Sequence, residues 1–163
     1  MSIHELEADS LHWPEVQVCF SQMYDDFQKL GFQSQLKSDG AEKWMLSQQK
    51  LAGKTSLVAA ALTPENSDLN NDSKLAGFIH VNLALPPSYL DGGKIGHVAH
   101  LYVRPEFRKL GLAMTLFQHS LLWFQKKEVE SISLEVVDGN SKAHSFWKKC
   151  GFENDLIQYK LKV

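Results

Sequence analysis

Two histidines stand on an apolar segment, Ile95 to Val103, that contains no carboxylate. Imidazole is suited to proton transfer near neutral pH because its ordinary pKa is about 6.5. If the segment is a strand, alternation places His97 and His100 on opposite faces, and a bulge in the strand would exchange those faces. Either histidine could therefore act as a base, or both could be partly buried, hydrogen-bonded structural residues.

A basic turn follows this segment and leads into a predicted helix. The turn holds Arg108 and Lys109, and the helix opens with Gly111 and Ala113, whose small side chains leave the backbone open. The first amides of a helix have no internal partners and lie at the positive end of the helix dipole. The stretch is therefore suited to wrapping an anion such as a pyrophosphate, although a basic residue before a glycine is also an ordinary strand-to-helix turn. It matches neither the P-loop nor the dinucleotide-binding GxGxxG pattern.

The elements that must position these residues follow from periodicity and from helix and turn signals. Their order is strand, two helices, three strands, helix, strand, helix and strand. This order predicts an α+β fold around a mixed sheet and disfavours a Rossmann domain. The predicted helices are Pro14 to Leu30, Ser38 or Asp39 to Gly53, Gly111 to Glu128, and a helix through Ala143 and Cys150. The predicted strands are Ile3 to Leu6, Ser56 to Leu62, Leu75 to Leu85, Ile95 to Val103, Ser131 to Val137 and Ile157 to Val163, the last with the clearest alternation.

The composition limits the class of protein. The chain has 163 residues, 44% of them apolar and 22% charged, which is typical of one globular domain, predicted to span residues 1–163. A net charge of −2 favours neither nucleic acid nor an anionic membrane as a partner. Cys19 and Cys150 lie far apart without a Cys/His ligand spacing, so we expect reduced thiols and no metal site. With no secretory signal and no apolar run near about 20 residues, the expected location is cytoplasmic.

The basic turn resembles the acyl-CoA-binding motif of the GNAT superfamily of N-acetyltransferases, Q/R-x-x-G-x-G/A. Arg108, Gly111 and Ala113 match this motif in full, and the preceding Leu101 to Phe107 resembles the strand and turn that lead into it. Farther along, a second segment resembles the family's second signature, N-x-x-A-x-x-F/L-Y-x-x-x-G-F. The residues that agree with the second signature are Asn140, Ala143, Phe146, Gly151 and Phe152.

The resemblance, which covers about Gly96 to Phe152, implies the GNAT fold: a mixed, mostly antiparallel sheet of about six to seven strands flanked by about four helices. It implies acetyl-CoA as the cosubstrate, bound in a V-shaped gap where the strand ending near Val103 splays from the strand beginning at Ser131. Backbone groups of the first strand would bond the pantetheine arm, and the amides of the basic turn would hold the pyrophosphate. The cofactor-binding residues expected on this basis are Leu101, Tyr102, Val103, Arg108, Lys109, Leu110, Gly111, Leu112, Ala113, Met114, Asn140, Ala143, Phe146 and Trp147.

Two departures from the family pattern concern the proton transfers. The second signature often carries a tyrosine that is thought to protonate the leaving thiolate, and Trp147 stands at that position. An indole N–H has no accessible acidity, so another group or water protonates the thiolate, or the thiolate leaves unprotonated. The family often places a carboxylate or histidine on the strand before the first motif, on the face assigned here to His97. His97 is therefore the first candidate for the catalytic base and His100 the second.

The resemblance implies an N-acetyltransferase in which a neutral primary amine attacks the thioester of acetyl-CoA directly, in a ternary complex. The alternative is a catalytically degenerate GNAT-fold module that binds coenzyme A as a sensor or interaction domain. The motifs do not identify the acceptor, and a small-molecule amine and a peptide end are equally compatible with them. Many relatives pair through sheet edges, so a homodimer is compatible as well.

Overall fold

The computed structural model describes residues 1–64 and 74–161, and its elements follow the predicted order as far as the last helix. The helices are α1 (Trp13–Lys29), α2 (Gly40–Leu51), α3 (Leu112–Lys126) and α4 (Ser141–Lys149). The strands are β1 (Ser2–Glu5), β2 (Ser56–Leu62), β3 (Leu75–Ala84), β4 (Ile95–Val103) and β5 (Ser131–Leu134). A short 3₁₀ turn, Pro105–Phe107, links β4 to α3.

The strands form one mixed sheet in the order β1-β2-β3-β4-β5. Neighbours are antiparallel except β4 and β5, which run parallel. The parallel pairing extends only from Ile95 opposite Ser131 to Val98 opposite Leu134, whereas β4 itself continues to Val103. The two strands therefore part beyond Val98, and a gap opens between them toward the turn that precedes α3.

Helices cover both faces of this sheet. On one face, α1 and α2 pack through Trp13, Phe20 and their neighbours against Phe78 of β3. On the other face, α3 and α4 pack against the alternate strand residues, which include Val98. Full burial of one large apolar side chain is worth roughly 1.5–3 kcal/mol, so these two layers hold the sheet between them. Within the described ranges, no helix is both long enough and apolar enough to cross a lipid bilayer.

The end of the chain departs from the prediction. Residues 153–161 form no regular element, and Val163 lies outside the described residues. Leu156, Ile157, Tyr159 and Leu161 are 75–90% exposed. The prediction of a strand here was wrong because alternation supplies an apolar face, whereas a strand also requires a neighbour with which its backbone can pair. The described residues therefore contain five strands instead of six to seven, and β5 ends three residues earlier than predicted.

Candidate active site

A β-bulge at Ala99 brings the two histidines of β4 to the same face of the sheet. His100 pairs with His80 of β3, whereas His97 pairs with Asn82. The two histidines are three residues apart on β4, whereas their partners on β3 are two residues apart. The register of the β3–β4 pairing therefore shifts by one residue between them. The predicted opposite faces were wrong because the bulge inserts one residue that an alternating sequence pattern does not reveal.

His100 lies in an aromatic cluster between the sheet and the first two helices. Its ring centroid is 5.0 Å from that of Phe20, 6.2 Å from Tyr24 and 5.9 Å from Trp44. Its Nδ1 atom lies 3.0 Å from Nδ1 of His80. Burial, together with the neighbouring His97, lowers the pKa of His100 to about 4, and burial, together with the other two histidines, lowers the pKa of His80 to about 3. Both rings are therefore neutral near pH 7.

His97 has different surroundings, although it shares the face of His100. It is half-buried and lies where β4 and β5 still pair, with Nδ1 3.1 Å from Oγ of Ser133 on β5. His100, in contrast, comes after Val98, which is the last residue of β4 that pairs with β5. Of the two candidate bases, His100 is therefore the one that borders the opening of the gap.

The turn before α3 has the backbone of an anion-binding site. Gly111 caps the helix with a φ of 79°, and Lys109 has a φ of 67°, so two left-handed residues curl the backbone within three positions. Curls of this kind direct successive amides toward one point. The first helical hydrogen bond is donated by Thr115 to the carbonyl of Gly111, so the amides before Thr115 precede the helical ladder. A Cβ atom built on Gly111 would meet no atom within 4 Å, so the space in front of this backbone is open.

The side chain of Arg108 is already bound within the protein. Its Nε atom donates to the carbonyl of Val103 at 2.9 Å, and its guanidinium forms an ion pair with Asp26 of α1 at 3.3 Å. The guanidinium also lies 5.6 Å from the ring centroid of Tyr102. Arg108 therefore ties the turn to α1 and β4 in the ligand-free protein. The side chains of Arg108 and Lys109 are both exposed, so the turn presents two basic groups to solvent.

The start of α4 is capped by Asn140, a residue of the second motif. Oδ1 of Asn140 accepts a hydrogen bond from the amide of Ala143 at 3.1 Å, which caps the helix. Trp147 is buried on the α3 side of the sheet. Its ring meets those of Phe117 and Phe152 edge-on, at centroid distances of 5.2 and 5.3 Å. Trp147 therefore serves as a core residue.

The remaining predicted positions are divided between the turn and the two sides of the sheet. Tyr102 faces the first two helices, whereas Leu101 and Val103 pack toward α3 and α4. Among the turn residues, Leu112 is buried and Leu110 is exposed. Met114, Ala143 and Phe146 are half-buried and pack against the core beneath α3 and α4.

A cavity of about 410 Å³ lies between α1 and the end of β4, beside the basic turn. Its lining includes Tyr102, which shares the sheet face of His100, and the carboxylates of Asp25, Asp26 and Glu106. A second cavity, of about 450 Å³, lies between α3, β5 and the end of α4. The first cavity adjoins the face that carries the histidines, and the second lies on the opposite side of the sheet.

A family model agrees with this geometry. The model of the Acetyltransferase (GNAT) family matches residues 20–152, a range that includes both motifs, the gap and the histidines. The chain belongs to the GNAT acetyltransferase family. As a GNAT acetyltransferase, it uses acetyl-CoA as its cosubstrate. The gap between β4 and β5, the amides at the start of α3 and the open space at Gly111 fit a pantetheine arm that ends in a pyrophosphate.

Solved structures share the GNAT fold with this chain. A mutant of the BH1408 protein from Bacillus halodurans has a TM-score of 0.78 and 19% identity, covering 100% of this chain and 99% of its own. The aminoglycoside N-acetyltransferase AAC(6')-Iy, in complex with coenzyme A, has a TM-score of 0.74 and 15% identity, covering 99% of this chain and 95% of its own. A putative acetyl transferase from Pyrococcus furiosus has a TM-score of 0.68 and 16% identity, covering 99% and 100%. A comparison with curated proteins finds no match.

The sequence did not reveal the residues behind His100 in this GNAT chain. His80, Ser56 and Gln48 are buried and hydrogen-bonded in series on the face of the first two helices. The register of β2, β3 and β4 places Ser56 and His80 on the face of His100, and α2 packs Gln48 against Ser56. Neither the register, which contains a bulge, nor the packing of α2 can be read from an alternating sequence pattern.

Proposed function

We propose that the protein transfers the acetyl group of acetyl-CoA to a primary amine of a small-molecule or peptide acceptor, by direct attack in a ternary complex. The observation that carries this proposal is the position of His100. It borders the β4–β5 gap on the face of α1 and α2, while the anion-binding turn lies at the end of the same strand. A thioester held in the gap would thus lie next to a neutral imidazole.

The cofactor roles follow the two motifs. The backbone of Leu101 to Val103 pairs with the pantetheine arm as a strand would. The amides from Lys109 to Met114 hold the pyrophosphate, and the Lys109 side chain adds positive charge to this site. Nδ2 of Asn140 donates to the pantetheine, since Oδ1 of that side chain already caps α4. Ala143 and Phe146 supply the apolar wall of α4 beside the arm.

The transfer itself is a single displacement at the thioester. The nitrogen lone pair of the amine attacks the carbonyl carbon, the C–N bond forms, and the C–S bond breaks with its electron pair leaving on sulfur. The amine proton passes to His100 as the C–N bond forms, because the nitrogen becomes acidic only at that stage, and the thiolate takes up one proton from water. Amine and acetyl thioester thus become amide and thiol, and oriented proximity supplies several kcal/mol toward the barrier.

His100 is preferred to His97 as the base for a structural reason. The resemblance favoured His97 because the family's base residues often lie on the face that alternation assigned to His97. The bulge at Ala99 places both histidines on one face and removes that distinction. The ring of His100 is held by Phe20 and Trp44 and lies at the gap. His97 is bonded to Ser133 where the strands are still closed, so it serves as a second candidate that could pass the proton to solvent.

One observation favours a second candidate function, a module that binds coenzyme A without catalysis. Trp147 replaces the tyrosine that often acts as the acid in this family, and β4 carries no carboxylate. Turnover separates the two candidates. A protein that binds acetyl-CoA and releases no thiol with any amine acceptor would be the module.

The first experiment is calorimetric titration of acetyl-CoA and coenzyme A into the wild type and a Gly111→Glu variant. A carboxylate at Gly111 would occupy the open space before the amides and repel the pyrophosphate, so binding should be lost. Gly53→Glu is the matched control, because Gly53 has a φ of 73° and its Cβ would also meet no atom within 4 Å. Gly53 precedes β2 at the end of the sheet opposite the turn, so this variant should bind normally.

Binding by the wild type and Gly53→Glu, with loss in Gly111→Glu, would justify an acceptor screen that detects released thiol. The screen should include aminoglycosides, because solved structures of this fold are named as aminoglycoside acetyltransferases, together with polyamines and short peptides. Equal binding by all three proteins would show that the turn does not hold the pyrophosphate.

A further inference from the structure

A network of hydrogen bonds runs from α2 through β2 and β3 to His100. Ser56 donates to Oε1 of Gln48 at 2.7 Å, and Nε2 of His80 lies 3.1 Å from Oγ of Ser56. Nδ1 of His80 lies 3.0 Å from Nδ1 of His100. Gln48, Ser56 and His80 are 7%, 1% and 3% exposed, so water does not compete at these three positions. We call this series the Gln48–Ser56–His80–His100 network.

The two imidazole rings meet in the geometry of a direct hydrogen bond. Their planes are 14° apart and their centroids 5.3 Å apart, while the facing Nδ1 atoms of His80 and His100 are separated by 3.0 Å. Centroids that lie so much farther apart than the nitrogens show that the rings meet edge to edge. A hydrogen between two such nitrogens belongs to one ring, and the other ring supplies the lone pair.

The protons of the network can then be assigned from one end. The hydroxyl hydrogen of Ser56 points to Gln48, so the oxygen of Ser56 accepts from Nε2–H of His80. A neutral His80 that is protonated on Nε2 has a lone pair on Nδ1. The facing nitrogen of His100 must therefore carry its hydrogen, and Nε2 of His100 is left with the lone pair.

This remaining nitrogen is the open end of the network. His100 is half-buried, and none of the described residues forms a hydrogen bond with its Nε2 atom. An acceptor that binds on the face of α1 and α2 would meet the lone pair of this nitrogen.

We propose that His80, Ser56 and Gln48 are positioning residues that hold His100 in its Nδ1–H tautomer and present its Nε2 lone pair to the acceptor amine. The identity of the proton donor rests on the proposed function, whereas the tautomer is a property of the protein alone. When the amine nitrogen bonds to the acetyl carbon, its proton moves to Nε2. The imidazolium then donates a charge-assisted hydrogen bond from Nδ1 to His80, and loss of the Nε2 proton to water restores the neutral ring.

The direct test is ¹⁵N NMR of the histidine rings in the ligand-free protein at pH 7.5. The expected spectrum shows His100 protonated on Nδ1 and unprotonated on Nε2, and His80 protonated on Nε2. A spectrum with His100 protonated on Nε2 would overturn the proposal, because the amide of Gln48 would then be turned over and the whole network reversed. This outcome does not depend on whether any amine is acetylated.

Two pairs of variants test the consequence for turnover. Ser56→Ala removes the acceptor for His80, and Ser120→Ala is its control, since Ser120 is also buried but donates to the carbonyl of Phe117 within α3. His80→Phe removes both nitrogens, and His80→Gln restores an acceptor for Nδ1–H of His100. We expect kcat to fall about 10-fold to 100-fold in Ser56→Ala and His80→Phe, as for other outer partners of functional histidines.

The same variants should leave the KM for acetyl-CoA unchanged, and His80→Gln should recover part of kcat. The tautomer of His100 should become mixed in Ser56→Ala and stay fixed in Ser120→Ala. An unchanged kcat in His80→Phe, or an equal loss in Ser120→Ala, would contradict the positioning role. If the wild type acetylates no amine, the proposed function fails, and the NMR spectrum alone decides the tautomer.

Discussion

At the scale of single residues, Trp147 has a structural role at a position where the family often has a catalytic one. It stands where the family often has a tyrosine, yet its ring is buried among Phe117, Phe146 and Phe152. An indole N–H is too weak an acid to protonate a thiolate at neutral pH. The position of the ring within an aromatic core is sufficient reason for a large side chain at this position.

We therefore expect Trp147→Phe to change stability without changing turnover. The smaller ring leaves unfilled volume and should cost about 1–2 kcal/mol of the free energy of unfolding. The value of kcat should stay within about threefold of the wild type, because no proton donor is removed. Urea unfolding and steady-state kinetics measure the two effects separately. A large loss of kcat in a variant that is folded and binds acetyl-CoA would show that the indole takes part in the reaction.

At the scale of elements, the start of α4 combines a helix cap with a proposed contact to the cosubstrate. Substitutions of Asn140 can separate these two roles, because Oδ1 caps the helix and Nδ2 is the proposed donor to acetyl-CoA. Asn140→Asp keeps an oxygen for the amide of Ala143 and suits the helix N-terminus, so stability should be unchanged. It removes the Nδ2 donor, so the Kd for acetyl-CoA should rise about tenfold, the cost of roughly one hydrogen bond.

Asn140→Ala is the matched variant, because it removes both atoms. It should lose about 1 kcal/mol of stability in addition to the same affinity. Thermal melting and calorimetry distinguish the two substitutions. If Asn140→Asp binds acetyl-CoA as the wild type does, Asn140 is only a cap.

The helices and strands also show which parts of the fold the sequence predicts and which parts it does not. The helices were predicted because each buries an apolar face whose period is visible in the sequence, and β2 and β3 because they are apolar runs that are buried along most of their length. The two features that the sequence did not predict both depend on pairing between strands. The bulge at Ala99 is defined by the register against β3, and residues 157–161 have the alternation of a strand but no ladder partner.

The candidate site divides in the same way. The open backbone at Gly111 was expected from the sequence, and Asn140, which was named from the second motif, is a residue type that the start of a helix favours. The bound state of Arg108 and the network behind His100 were not expected, since they depend on contacts between residues distant in sequence. Asp26 and Arg108 are joined only when α1 packs on β4.

At the scale of the whole molecule, the two neutral histidines couple the site to global stability. His80 and His100 lie between the sheet and the helices α1 and α2, where burial favours their uncharged forms. The titratable groups that face them are His97 from β4 and Tyr24 from α1, and Trp44 and Gln48 of α2 contribute no charge. No carboxylate is among these facing groups, so protonation of either ring is uncompensated.

The free energy of unfolding should therefore fall as the pH is lowered from 7 toward 4. The pKa values of His80 and His100 are about 3 and about 4 in the folded protein, below the value of about 6.5 expected in the unfolded chain. Between about pH 6.5 and pH 4 the unfolded chain binds more protons, so lower pH favours it. Each unit of pKa difference corresponds to about 1.4 kcal/mol, which predicts a loss of a few kcal/mol over this range.

Urea unfolding at pH 7.5, 6.0 and 5.0 measures this slope for the wild type, a His80→Gln/His100→Gln double variant and the control His4→Gln. His4 is exposed on β1, so its variant should follow the wild type. The double variant removes both depressed groups, and its free energy of unfolding should depend much less on pH across the same range. Because all three proteins contain the same carboxylates, the difference between the slopes isolates the two histidines. Parallel slopes in all three proteins would mean that protonating the two rings does not lower the free energy of unfolding. The packing of α1 and α2 would then not favour the neutral rings.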